Sequence, residues 1–149
     1  MNTTTNPETC RSKWSIHKNS RLKALRDLYK QAQSGNDDER EAAWEELCDY
    51  GLSFDYVAPH TFNKQPEGYW RWQLSWGGPS DEFRIYGSLQ RNGSIIPYRV
   101  EYAFLNWFDG AVRKLTAKED AFIMQLVDML FVDTEVASRE YHAAMMGDD

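Results

Sequence analysis

The chain has 149 residues, a net charge of −6 and 14% aromatic residues, a length that suits one domain able to bury its own core. Two cysteines, Cys10 and Cys48, make no disulfide framework. With no run of eighteen apolar residues and no signal-peptide pattern, the expectation is a reduced, cytoplasmic protein, neither secreted nor membrane-inserted.

Charge is unevenly distributed. Residues 1–34 hold seven Lys/Arg against Glu8 and Asp27, a net +5, which leaves −11 on residues 35–149. A split of this kind points to charged partners or to self-complementarity.

Residues 1–19 are expected to form a flexible arm, because the polar run Thr3–Pro7 has nothing to bury, with Trp14 and Ile16 pinning its latter half. Residues 20–149 are read as a single α+β domain. Asn19 or Ser20 caps a first helix from about Arg21 to Ser34, with Leu22, Leu25, Leu28, Tyr29 and Ala32 at helical spacing. Its outer face carries Arg21, Lys23, Arg26 and Lys30, a solvated face or a phosphate-contacting one.

Asn36 or Asp37 caps a second helix that ends at Gly51, with Ala43, Trp44, Leu47 and Cys48 as its buried stripe. This helix carries Asp37, Asp38, Glu39, Glu41, Glu45, Glu46 and Asp49 against Arg40 alone. Asp38 and Glu39 lie in its first turn, where the helix dipole favours them. The short Gly35–Asn36 link joins a basic and an acidic helix as an αα-hairpin.

Leu52 to Val57 alternates as a first strand. From Tyr69 to Trp76 the alternation is clean, with Trp70, Trp72, Leu74 and Trp76 on one face and Tyr69, Arg71, Gln73 and Ser75 on the other. Gly77-Gly78-Pro79-Ser80 forms a turn that carries Asp81 and Glu82. Phe83 and Ile85 resume the apolar face, and Gly87 marks a bulge or bend. Asn92-Gly93 predicts a type I′ hairpin. Tyr98, Val100, Tyr102 and Phe104 then share the apolar face, opposite Arg99 and Glu101. The outcome is an antiparallel meander of three to four strands, with Tyr69 and Tyr86 as the aromatics on the charged face.

Trp107-Phe108-Asp109-Gly110 reads as a turn. Thr116 and Glu119 form a capping box that starts a C-terminal helix, whose Phe122, Ile123, Leu126, Val127 and Leu130 cover the oily side of the sheet. The helix restarts at Asp133-Thr134.

Signatures of chemistry are missing from the sequence. His17, His60 and His142 are scattered, no Cys-x-x-Cys occurs, and there is no nucleophile elbow, P-loop or dinucleotide fingerprint. Neighbouring strand residues point to opposite faces, so Asp81 and Glu82 make a poor acid/base pair. The expectation is a protein with no enzymatic activity, no cofactor and no metal.

The segments QLSWGGPSDEFRIY (Gln73–Tyr86) and EYAFLNWFDGA (Glu101–Ala111) resemble small acidic accessory proteins of plasmids and phages, a class that includes anti-CRISPR and anti-restriction inhibitors. The resemblance implies a non-enzymatic inhibitor in the bacterial cytoplasm that occupies the nucleic-acid groove of a defence complex. Charge then selects the expected partner-binding residues: Asp37, Asp38, Glu41, Glu45 and Glu46 on the second helix, and Asp81 and Glu82 at the turn. The alternatives are nucleic-acid binding through Arg21, Lys23, Arg26 and Lys30, and a homodimer in which the basic helix of one copy meets the acidic helix of the other.

Overall fold

In the computed structural model, which describes residues 10–106 and 109–146, five antiparallel strands lie in chain order beneath four helices. The strands are β1 (Ser53–Val57), β2 (Tyr69–Ser75), β3 (Ser80–Leu89), β4 (Ile95–Asn106) and β5 (Asp109–Lys114). The helices are α1 (Cys10–Gln33), α2 (Asp37–Cys48), α3 (Ala117–Val127) and α4 (Val136–Met146), with a π-helical turn, Asp128–Val132, between the last two. This is the expected α+β class, with the hairpin first, the meander next and the C-terminal helices last. No helix among the described residues is long and apolar enough to cross a membrane.

The core forms because β2, β3 and β4 each place alternate side chains on one face. Phe54, Trp70, Trp72, Leu74, Phe83, Ile85, Val100, Tyr102 and Phe104 are buried together there. Trp14, Leu22 and Leu25 of α1 and Ile123, Leu126 and Val127 of α3 close over them. All of these share one cluster, so the helices cover the tryptophan face and leave the charged face to loops and solvent. Indole N–H groups tie the layers: Trp14 donates to Tyr102 O at 2.6 Å and Trp70 to Ala137 O at 2.9 Å. Thr116 accepts from Glu119 N, and the Glu119 side chain answers to Thr116 N, completing the expected capping box.

Several expectations change. Residues 10–19 belong to α1, so the flexible arm does not extend over them, while residues 1–9 lie outside the described residues. This stretch lacks an apolar stripe: Trp14 is its one buried hydrophobic among the described residues, Ile16 is exposed, and the rest of its anchorage comes from Lys18, paired with Glu119 at 2.6 Å, and from His17, stacked on Phe104. Among the described residues the sheet has five strands, not three or four. The added β5 buries only Ala111 of its six residues, too little to produce visible alternation. Trp107 and Phe108, read as part of a turn, lie outside the described residues.

The β3–β4 hairpin forms at Asn92-Gly93 but not as a type I′ turn. Gly93 takes a φ of +88°, Asn92 does not take a positive φ, and the Asn92 side chain accepts from Ser94 N and Oγ. Register shifts between Tyr86 and Gly87: Tyr86 pairs with Arg99 and Gly87 with Pro97, which leaves Tyr98 as an extra residue. That bulge moves Tyr98 off the core face. It is exposed and donates to Glu67 at 2.5 Å. Trp76, placed on the apolar face by its spacing, lies past the end of β2 and is 72% exposed.

Candidate functional site

α2 is held to the molecule by little. Only Ala43 and Leu47 are buried, and Trp44 and Cys48, expected in the same stripe, are exposed. Four residues complete just over one helical turn, and two buried residues four apart suffice to seat a short helix on α1. Asn36 caps it by accepting from Glu39 N at 2.8 Å, and its amide donates to Glu39 Oε1.

That seating directs the carboxylates outward. Asp37, Asp38, Glu41, Glu45 and Glu46 are all exposed. At 100° per residue, Asp38, Glu41, Glu45 and the capping residue Asp49 form one ridge opposite Ala43 and Leu47. Asp37 pairs with Arg40, and Glu39 is occupied by the cap. Asp38, Glu41, Glu45, Glu46 and Asp49 form no ion pair among the described residues. Partial burial first, then the charges of Asp49 and Glu45, push the neighbouring Cys48 thiol above its ordinary value, so it stays protonated. Asp49 is the member of the ridge that sequence reasoning counted among the helix acids but left out of the surface. The 3.6-residue period is what places it there.

Asp81 and Glu82, by contrast, belong to no surface. Each is 3% exposed. Glycine and proline before them suggested an open turn, but β3 begins at Ser80 and carries both into the sheet. Asp81 faces the core layer. It accepts two hydrogen bonds from Arg21 (Nε at 2.7 Å, a terminal nitrogen at 2.9 Å), one from Tyr102 and one from Ser75. Burial pushes the Asp81 carboxyl up, but the hydrogen bonds from Arg21, Ser75 and Tyr102 outweigh it and hold the group below the usual carboxylate range. Glu82 points to the other face and accepts from Arg84 Nε at 2.8 Å. The two carboxylates are structural, on opposite sides of one strand.

The basic helix is likewise not one surface. Arg21 turns inward to Asp81 and also reaches Tyr50 OH. Lys23 pairs with Asp27 one turn on, and Arg26 lies over the Phe122 ring at 5.3 Å. Lys23, Arg26 and Lys30 remain exposed on the outward side of α1.

The outer face of the sheet bears a row of paired charges, Asp55–Arg71–Arg84–Glu101–Lys114, one residue from each strand. Arg71 and Arg84 stand directly opposite each other, which alone would be repulsive. Each turns to its own acid: Arg71 makes two hydrogen bonds to Asp55, and Arg84 takes Glu82. Tyr69 and Tyr86, expected to be accessible here, are 2% and 7% exposed. Arg84 lies over Tyr69 and Arg99 over Tyr86, and the Ala58–Gly68 connection borders both. Neither ring offers a free face for base stacking.

Comparison with family models, with curated proteins and with solved structures gave no match.

Proposed function

We propose that the protein is a non-enzymatic binding factor that docks through the acidic ridge of α2 onto a basic groove built to hold nucleic acid. The observation that carries this reading is the density of unpaired carboxylates on a helix that barely contributes to the core. From Asp37 to Asp49 the helix runs about 18 Å at ~1.5 Å per residue. Seven acids against Arg40 leave roughly one net negative charge per 3 Å of axis, close to the ~3.4 Å per phosphate along one duplex strand. On the ridge itself Asp38, Glu41, Glu45 and Asp49 recur every three or four residues, about 4.5–6 Å of axis, so it presents carboxylates in a row somewhat sparser than the phosphates of one strand. Long-range attraction would steer the encounter and weaken as salt rises.

The resemblance to mobile-element inhibitors supports the same direction: a small acidic protein that occupies the groove of a bacterial defence complex. Binding through α1 is the weaker alternative, because Arg21 is withdrawn into an ion pair and Lys23 is partly neutralised by Asp27. α2 already packs against α1 within one chain, which lessens the case for a charge-paired homodimer.

The test is competition. Immobilised protein is used to capture partners from nuclease-treated bacterial lysate, and duplex DNA is then added. A partner held by its nucleic-acid groove is released by DNA and is not captured when Asp38, Glu41, Glu45, Glu46 and Asp49 are replaced by their amides. A partner that survives both treatments is bound elsewhere and counts against the reading.

A further inference from the structure

A cleft of about 430 Å³ opens between the Ala58–Gly68 connection and the outer face of the sheet. That volume is within the range of small-molecule sites. Tyr69, Arg84, Tyr86 and Arg99 form its sheet side, and Lys64 and Glu67 stand on the connection. Its charged lining is thus three cations and one carboxylate. Glu82 and Glu101 do not line it, but they pair with Arg84 and Arg99 at 2.8 and 3.1 Å, orienting the two guanidiniums and offsetting part of their charge.

The arginines are fixed before any ligand arrives. The Arg84 guanidinium carbon is 5.0 Å from the Tyr69 ring centroid, and that of Arg99 is 3.9 Å from the Tyr86 centroid. Cation–π contact and burial hold each guanidinium in place, so little side-chain entropy is left to lose on binding. A partly desolvated guanidinium also attracts an anion more strongly than an exposed one. Arg99 Nε is buried against Glu101 Oε2, 3.1 Å away and outside hydrogen-bonding angle, which leaves the terminal nitrogens as the groups that can meet an anion.

The cleft already holds one oxyanion, and it is the protein's own. Glu67 accepts from Tyr98 OH at 2.5 Å and from an Arg99 terminal nitrogen at 3.0 Å. Those bonds, from Tyr98 first and Arg99 next, hold its carboxyl below the usual range. The guanidinium fork thus receives oxygen ligands in its present orientation. Lys64 is exposed at the mouth and makes no ion pair among the described residues. Its backbone is left-handed, with a φ of +57°, a conformation the ordered connection imposes.

We propose that this cleft binds a small phosphomonoester, its dianionic phosphate meeting Arg84, Arg99 and Lys64 and competing with Glu67 for Arg99. A phosphate offers three terminal oxygens to Arg84, Arg99 and Lys64, where a monocarboxylate offers two. The site is separate from α2, and its success or failure is independent of the docking reading.

The full-length protein is titrated with inorganic phosphate, adenosine 5′-monophosphate and acetate at constant ionic strength, followed by calorimetry and by the tyrosine resonances. Saturable binding of either phosphate species, with acetate far weaker, is the expected result. Tighter binding of the nucleotide supports the ester, whereas free phosphate binding as tightly shows that the phosphate group alone is recognised and overturns the ester assignment. Glu67→Gln should tighten binding several-fold by freeing Arg99. Lys64→Asn, which keeps a residue tolerant of left-handed backbone, should weaken it by about tenfold, the equivalent of one charge-assisted hydrogen bond. Both positions are partly or fully exposed, so both variants should fold. No saturable binding of either phosphate species, acetate binding as tightly, or unchanged affinity in Glu67→Gln would each overturn the proposal.

Discussion

Arg21 and Asp81 form a two-bond ion pair that fastens the middle of α1 to the start of β3, with Tyr102 and Ser75 completing the carboxylate's hydrogen bonds. Breaking one side of a buried pair leaves the other charge uncompensated, at a cost of about 3–5 kcal/mol. Arg21 keeps some solvent contact, so Asp81→Asn should cost about 3 kcal/mol, the low end. Urea unfolding at pH 7 measures it.

The same pair sets a pH dependence. The Asp81 carboxyl is held below its ordinary value in the folded protein, so its stabilisation is complete above the unfolded value of about 3.9. It is lost as pH falls through the lower folded value. The stability gap between the native protein and Asp81→Asn should therefore be constant from pH 7 to about 5 and shrink below about pH 4. Taking a difference cancels Asp120 and Asp128, whose carboxyls burial pushes up and which act in the opposite direction. A gap that widens on acidification would contradict the assignment.

Gly87 sits where strands come close. A Cβ there would stand 2.5 Å from Ile96 O and 2.9 Å from Pro97 Cα, both backbone atoms that cannot swing aside. Gly87→Ala should destabilise by about 1–3 kcal/mol through distortion of the bulge. It should also disturb Tyr98, and with it the Glu67 contact, which tyrosine hydroxyl exchange by NMR would register.

Trp14 should matter although it lies near the start of α1. Trp14→Phe keeps most of the buried ring but leaves the Tyr102 carbonyl without its 2.6 Å donor, a loss of about 1–2 kcal/mol. Hydrogen exchange across residues 10–19 should rise more than exchange across residues 22–33, where Leu22 and Leu25 still anchor the helix.

The parts of the fold legible in the sequence were those whose signal is local and periodic. Trp70, Trp72 and Leu74 alternate, so β2 and its buried face could be read directly, and Thr116 and Glu119 marked the start of α3 three residues apart. Asp81 could not be read this way, because its partner Arg21 lies sixty residues earlier and its neighbours Gly77, Gly78 and Pro79 mimic an exposed turn. Tyr69 and Tyr86 kept the predicted face but not the predicted exposure, since arginines laid across their rings cover them. Of the candidate surface, the α2 carboxylates were legible because a helix with few apolar residues must leave its acids in water. The cleft was not, because it brings Lys64 together with residues of three strands, Tyr69, Arg84 and Arg99, through a connection whose path no local pattern encodes.

Neutralising the α2 ridge should leave the fold intact. Removing Asp38 weakens a favourable contact with the helix dipole, while removing Glu41 and Glu45 relieves repulsion between carboxylates one turn apart, and the two effects oppose. The melting temperature of the variant with Asp38, Glu41, Glu45, Glu46 and Asp49 changed to amides should stay within about 4 °C of the native value.

With folding preserved, that variant tests the central claim most directly. Partner retention on immobilised protein is compared for native and neutralised chains at low and physiological salt, with and without competing duplex DNA. The account predicts a partner held by the native chain, weakened by salt, displaced by DNA and lost from the neutralised chain. Equal retention of the same partner by both chains, indifferent to DNA, would contradict it.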